Sequence, residues 1–193
     1  MTGLDVDIDE LVEIAIVVTD FDLNVLDPGL NIVIKPDDAA LANMSDFVRT
    51  MHATSGLLDE IPSGTSLAEA EYEVLEYVQR FVPTPRTAPL AGNTIGTDRM
   101  FLAKYMPRLD THLHYRNVDV SSIKELSRRW FPRVYFNTPE KNGGHRALAD
   151  ILESIRELDY YRSAVFVSEP GPSTDDVQAV SKRVVEKWEP LLY

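Results

Sequence analysis

The chain has 193 residues, 44% of them hydrophobic, which is enough for a single core of ordinary size. It has no cysteine, excluding disulfides and thiolate metal ligands, and no apolar run of membrane-span length or secretory leader, so a cytoplasmic protein with no membrane partner is expected. With 31 acids against 19 Lys plus Arg, the formal charge of -12 argues against a broad grip on long nucleic acid, which needs many phosphate contacts, while leaving room for a pocket that captures one or two nucleotides.

In chain order, residues 12–19 (VEIAIVVT) read as a mostly buried strand and residues 31–35 (NIVIK) as a second. Residues 20–28 form a turn between them, with Asn24 expected at its tip. Residues 44–57 show no clean period. Residues 66–82 predict an amphipathic helix, capped by Ser66 and apolar on one face at Leu67, Ala70, Val74, Leu75, Val78 and Phe81; Pro83-Thr84-Pro85 ends it. A strand end at Pro89-Leu90-Ala91, a small-residue turn and a helix from Asp98 follow. A strand ending near Asp119, a helix over 122–130 and a helix over 145–163 complete the pattern. Strands first, then strands alternating with helices, indicate an α/β domain. Residues 169–174 (EPGPST) read as a linker. Beyond them Val177, Val180, Val184, Val185 and Trp188 recur at helical spacing, which leaves open a tail packed at a subunit interface or one loosely docked.

Two segments carry chemistry. His145 and Asp150 lie five residues apart at a helix start, about one and a half turns, so they converge only if His145 lies at or before the first turn. A carboxylate that holds a cation, with an imidazole that takes a proton from water, is the minimum for metal-assisted hydrolysis. Asp98 stands beside another helix start after a strand end, where ligand sites of α/β folds gather. Taken singly, Asp98 is equally well read as a helix cap, and His145 with Asp150 more readily as capping or surface groups.

The runs GNTIGTDRMFLAKYMP at 92–107, HYRNVDVSSIKELSRRW at 114–130 and HRALADILESIRELDYYR at 145–162 resemble the oligoribonucleases. These are 3′-to-5′ exoribonucleases of the histidine subtype of the DEDD exonucleases, and the similarity runs from Met1 to about Arg162. The resemblance implies an α/β, ribonuclease H-like exonuclease fold with a mixed central sheet flanked by helices. It implies two divalent cations, Mn²⁺ or Mg²⁺, held by four carboxylates, with one histidine. Asp98 matches the third acid and Asp150 the fourth, and His145 matches the general base. The family's first two acids, Asp-x-Glu, directly precede Met-Thr-Gly-Leu-Asp, whereas this sequence begins at Met1-Thr2-Gly3-Leu4-Asp5. The first strand is therefore expected to be missing, with Met1 an internal methionine of a longer chain. Residues 1–168 would form an N-terminally truncated exonuclease domain of reduced stability, and 169–193 a linker and helical tail. Asp5 and Asp7 are poor substitutes, because Asp5 matches the loop after the family's strand.

The resemblance also implies a substrate site for short single-stranded RNA, dinucleotides above all. Leu4 matches a leucine wedged between two bases, Phe47 a stacking aromatic, and His52 a histidine near the sugar-phosphate. Tyr115, Arg116 and Ser121 match residues that reach across a homodimer to cap the 5′ phosphate, with Thr94 beside them. Arg suits that task because its planar fork pairs with phosphate oxygens. The expected reaction is hydrolysis of the terminal phosphodiester to nucleoside 5′-monophosphates. One alternative is a catalytically impaired dinucleotide-binding form lacking the Asp-x-Glu strand. Another is a DNA-proofreading exonuclease, against which the Tyr115, Arg116 and Ser121 signature speaks.

Overall fold

The computed structural model describes residues 1–141, 144 and 146–192. Strands β1 (Glu13–Ile16) and β2 (Leu30–Val33) pair antiparallel, Glu13 opposite Val33 and Ile16 opposite Leu30. The predicted 12–19 strand is thus shorter, and half-buried rather than mostly buried. The connecting turn forms because the Asp20 carboxylate accepts the backbone N–H groups of Asp22 and Asn24 and the Asn24 side-chain amide, each at 2.9 Å. This is the local bonding that makes Asp a turn residue. Leu23, with φ 65°, occupies the left-handed position rather than Asn24. Gly29 is required where it stands: its φ is 92°, and a Cβ there would lie 2.9 Å from the Ile16 carbonyl oxygen.

Residues 38–60, which include the stretch 44–57 where no clean period was legible, contain three short helices: α1 (Asp38–Asn43), α2 (Asp46–Thr54) and α3 (Leu57–Glu60). One or two turns are too few to display a repeat of 3.6 residues, and only the Ser45 cap on α2 marks a start. Helix α4 (Leu67–Phe81) fulfils its expectation, with Ser66 and Glu69 forming a reciprocal capping box. Its buried face adds Tyr77 and Glu71, and the Glu71 carboxylate accepts the Arg108 N–H at 2.7 Å.

Strand β3 (Pro89–Gly92) leads into α5 (Ile95–Tyr105), which begins three residues earlier than Asp98. Helix α6 (Pro107–His112) follows, and then β4 (His114–Asp119), parallel to β3. Asp119 caps α7 (Val120–Trp130) by accepting the Ser121 N–H. After α8 (Pro132–Tyr135) come α9 (Ala147–Val165) and α10 (Thr174–Leu192). Every described residue of α10 is exposed.

The α/β class holds, but the expected single mixed sheet is replaced, among the described residues, by two two-stranded sheets. Helix α9 touches β1, β2 and β3 and so spans the two sheets. One core also joins them: Leu11, Ile32 and Ile34 pack with Val74, Val78, Phe101 and Met106. Each such fully buried side chain contributes about 1.5–3 kcal/mol. The segment ahead of β1 is not a strand. It folds on itself, the Thr2 N–H donating to the Glu10 carbonyl at 2.9 Å and the Thr2 hydroxyl to Asp9 at 2.8 Å.

Candidate active site

Helix α5 organises the first half of the site. Asp98 lies in its first turn, where backbone N–H groups favour negative charge. Burial nevertheless raises its carboxyl above the usual carboxylate range, outweighing its own backbone N–H and the nearby Met1 amino group. That amino group is itself lowered to about 6 by burial, while Glu13, Asp98 and Asp9 all draw it toward its charged form. Oxygen donors in a poorly hydrated, negatively charged place fit a hard divalent cation. Asp98 meets this description; Asp150, expected from the resemblance to share the cation, is exposed. Among the described residues, however, no three or more His, Cys, Asp or Glu side chains gather closely enough to bind a metal.

Asp150 is exposed in the first turn of α9, its N–H donating to the Arg146 carbonyl at 3.0 Å. His145, the expected base, lies outside the described residues.

The N-terminal loop is pinned from two sides. On one, His52 of α2 is only 4% exposed and its Nε2 donates to the Met1 carbonyl at 2.9 Å. On the other, the Tyr105 hydroxyl of α5 donates to the Asp9 carbonyl at 2.7 Å and the Lys104 ammonium to the Val6 carbonyl at 2.6 Å. Leu4 protrudes from this loop, 74% exposed, and Phe47 from α2, 78% exposed, as apolar groups that could meet a base. His52, expected near the sugar-phosphate, is here a buried tether of the loop.

The residues expected to meet the 5′ phosphate form an assembled cluster at Thr94 and Ser121. Thr94, the N-cap of α5 with φ 53°, donates its N–H to the Ser121 hydroxyl at 2.9 Å and to Asp119 Oδ1 at 3.1 Å. The Ser121 hydroxyl donates onward to Asn93 Oδ1 at 3.1 Å. Thr94 and Ser121 therefore meet within one chain. Tyr115 is 72% exposed, and Arg116 lies against it, Nε donating to the phenolic oxygen at 3.0 Å.

Sequence reasoning missed two sets of residues. Glu157, buried in α9, accepts the Lys124 ammonium at 3.0 Å, the Lys141 ammonium at 2.8 Å and the Asn93 side-chain amide at 3.1 Å. Burial pushes its pKa up, but the two ammonium groups outweigh that and hold it below the ordinary value. The second set is Glu13, Glu60 and Arg146, joined between β1, α3 and the start of α9. The only available signal was charge at positions that pattern reading assigns to strand or surface.

A family described as "Exonuclease" matches residues 1–158. The protein named "Oligoribonuclease" from Leifsonia xyli subsp. xyli (strain CTCB07) is 81% identical over 188 residues, covering 97% of this chain and 91% of that protein. The chain belongs to the oligoribonuclease family of exonucleases. Relatives of the same name from Rhodococcus jostii (strain RHA1) and Nocardia farcinica (strain IFM 10152) are 63% and 60% identical, covering 93% and 95% of this chain and 91% and 86% of theirs. The family fold is the ribonuclease H-like α/β exonuclease domain, and its members are hydrolases of the nuclease class. The comparisons do not bear out the expectation of a missing first strand, and the impaired binding form is not the favoured reading. Among the described residues, no helix is long and apolar enough to cross a membrane.

Proposed function

We propose that this chain removes nucleotides from the 3′ end of short oligoribonucleotides, diribonucleotides above all, releasing nucleoside 5′-monophosphates. One observation carries the reading: Thr94 and Asp98 share the first turn of α5, about 6 Å apart along the axis. The group that would bind the terminal phosphate and the acid that would hold a cation are thus separated by room for very few nucleotides. The short range of such a site also suits a chain of net charge -12.

In this reading Leu4 and Phe47 contact the bases, and Thr94, Ser121, Tyr115 and Arg116 bind the 5′ phosphate. His52 acts by holding the Leu4 loop. Asp98 and Asp150 hold divalent cations, Mg²⁺ or Mn²⁺, which when bound supply Lewis-acid stabilisation of charge on phosphate oxygens. His145 takes the proton of the attacking water. The new bond joins that oxygen to phosphorus, the bond to the 3′ oxygen of the preceding nucleotide breaks, and the leaving oxygen is protonated. The exposed pair Tyr115 and Arg116 completes a second copy's site, so the working form is a homodimer, and its place of work is the cytoplasm.

The test is incubation of the full chain with a 5′-labelled diribonucleotide and Mn²⁺, beside Asp98→Ala. The expected result is release of mononucleotide by the unaltered chain, at least about a hundredfold slower in the variant, the loss appropriate to a ligand rather than a more distant group. Equal cleavage by both proteins would remove Asp98 from the reaction.

A further inference from the structure

The start of α9 has no side-chain cap of its own. An unsatisfied helix N-terminus is normally served by the residue preceding it. Here the service comes from β1, more than a hundred residues away: Glu13 Oε2 accepts the N–H of Ala147, the first residue of α9, at 3.0 Å. The same carboxylate accepts Arg146 Nε at 2.9 Å and the Asn31 side-chain amide at 3.1 Å, and its side chain is only 5% exposed. The far edge of the Arg146 guanidinium makes a paired contact with Glu60, Nη1 and Nη2 lying 2.8 and 2.9 Å from the two carboxylate oxygens. Arg146 thus bridges α3 and β1 while its backbone carbonyl receives the Asp150 N–H. The turn that carries Asp150 hangs from this arrangement.

We propose that Glu13 and Arg146 are positioning residues of the exonuclease, which fix the first turn of α9 so that Asp150 is held where it binds the cation. This rests on the reading of Asp150 as a cation ligand. An arginine is required, because only its rigid planar fork reaches one carboxylate through Nε and a second through both Nη atoms; a lysine keeps the charge and loses the geometry. Groups that orient a metal ligand without touching the metal commonly govern affinity and rate about 10–100-fold. Glu60 steadies the outer edge of the guanidinium and contributes less, being about half exposed.

The experiment compares the full chain with Arg146→Lys, Arg146→Ala and Glu60→Gln. Mn²⁺ binding is followed by its paramagnetic signal, amide hydrogen exchange is measured without metal, and diribonucleotide turnover is measured with it. In Arg146→Lys, Mn²⁺ affinity and kcat are each expected to fall about tenfold, while KM shifts far less. Exchange in residues 147–151 should quicken about fivefold, the equivalent of losing one helix cap, with residues 155–165 unaffected. Glu60→Gln gives the same pattern in weaker form, and serves if Arg146→Ala does not fold. Unchanged Mn²⁺ affinity in Arg146→Lys, or exchange that quickens evenly along the whole chain, would overturn the positioning role. Should the unaltered chain bind Mn²⁺ but cleave nothing, while Arg146→Lys still weakens that binding, the proposed reaction falls and the positioning role stands.

Discussion

The two ends of the first turn of α5 are built on opposite principles. At Thr94 the backbone N–H, the Ser121 hydroxyl, the Asp119 carboxylate and the Asn93 side chain satisfy one another in a closed set of hydrogen bonds. At Asp98, four residues on, burial pushes the carboxyl toward its neutral form. The first end is finished before substrate arrives. In the second, burial opposes the charge, and in the proposed reading a cation completes it. A preassembled polar cluster lends rigidity and specificity, whereas an under-compensated buried acid lends affinity for a positive ion. In the proposed reading, placing both on one helical turn couples recognition of one phosphate to chemistry on the next.

The sharpest way to break the finished end is through its support. Glu157 bonds to Asn93 from below while pairing with Lys124 and Lys141. Replacing it by Gln leaves two ammonium groups without their counter-charge. Breaking a fully buried pair costs about 3–5 kcal/mol, but both lysine side chains are more than a third exposed, so about 2 kcal/mol is expected here. Urea unfolding at neutral pH would measure it. Because the Glu157 pKa is depressed in the fold, its stabilisation is present above the ordinary value of 4.5 and is lost as pH falls through the lower folded value. The gap between the two proteins should therefore close in acid. Identical urea midpoints at neutral pH would show that Glu157 supports nothing.

A smaller change acts on the cluster itself. Ser121→Ala removes one acceptor of the Thr94 N–H and the donor to Asn93, while the Asp119 carboxylate continues to accept from Thr94. Losing one net hydrogen bond of about 1 kcal/mol should raise KM for a diribonucleotide about fivefold and leave kcat nearly unchanged. A fall in kcat at constant KM would instead place Ser121 in the chemical step.

The contrast between the two ends also explains what was legible in the sequence. Helix α4 could be read from Ser66, Glu69 and its apolar face, because capping and periodicity are local. Asp98, Thr94 and Ser121 were singled out through contiguous motifs, and the fold brings Thr94 and Ser121 into contact. Helices α1 to α3 escaped because each is too short to show a period. The sheet was expected to be one body, yet strand pairing joins residues distant in sequence, and no local pattern fixes which edges meet. Glu13 and Arg146 stand 133 positions apart, and Lys141 and Lys124 converge on Glu157 from separate elements. Such partnerships exist only in the folded chain. His52 was singled out by similarity, but its bond to the Met1 carbonyl, 51 positions away, was not legible in the sequence.

The smallest expected effect tests the tension at Asp98 directly. A carboxyl whose pKa is raised in the fold contributes stability below its unfolded pKa, and that contribution disappears as pH rises through the folded value. In the metal-free protein, Asp98→Asn keeps the shape and abolishes the charge. The variant should match the unaltered chain in strong acid, where both side chains are neutral, and become the more stable of the two as pH climbs past the carboxylate range. Thermal melts from acid to neutral pH, in the presence of a chelator, would read this as a difference in Tm that grows with pH. Added Mn²⁺ should erase or reverse the difference, because only the carboxylate gains from a cation. A variant that is less stable at neutral pH without metal would mean that the Asp98 charge is already compensated in the empty fold. The two ends of the turn would then be built alike.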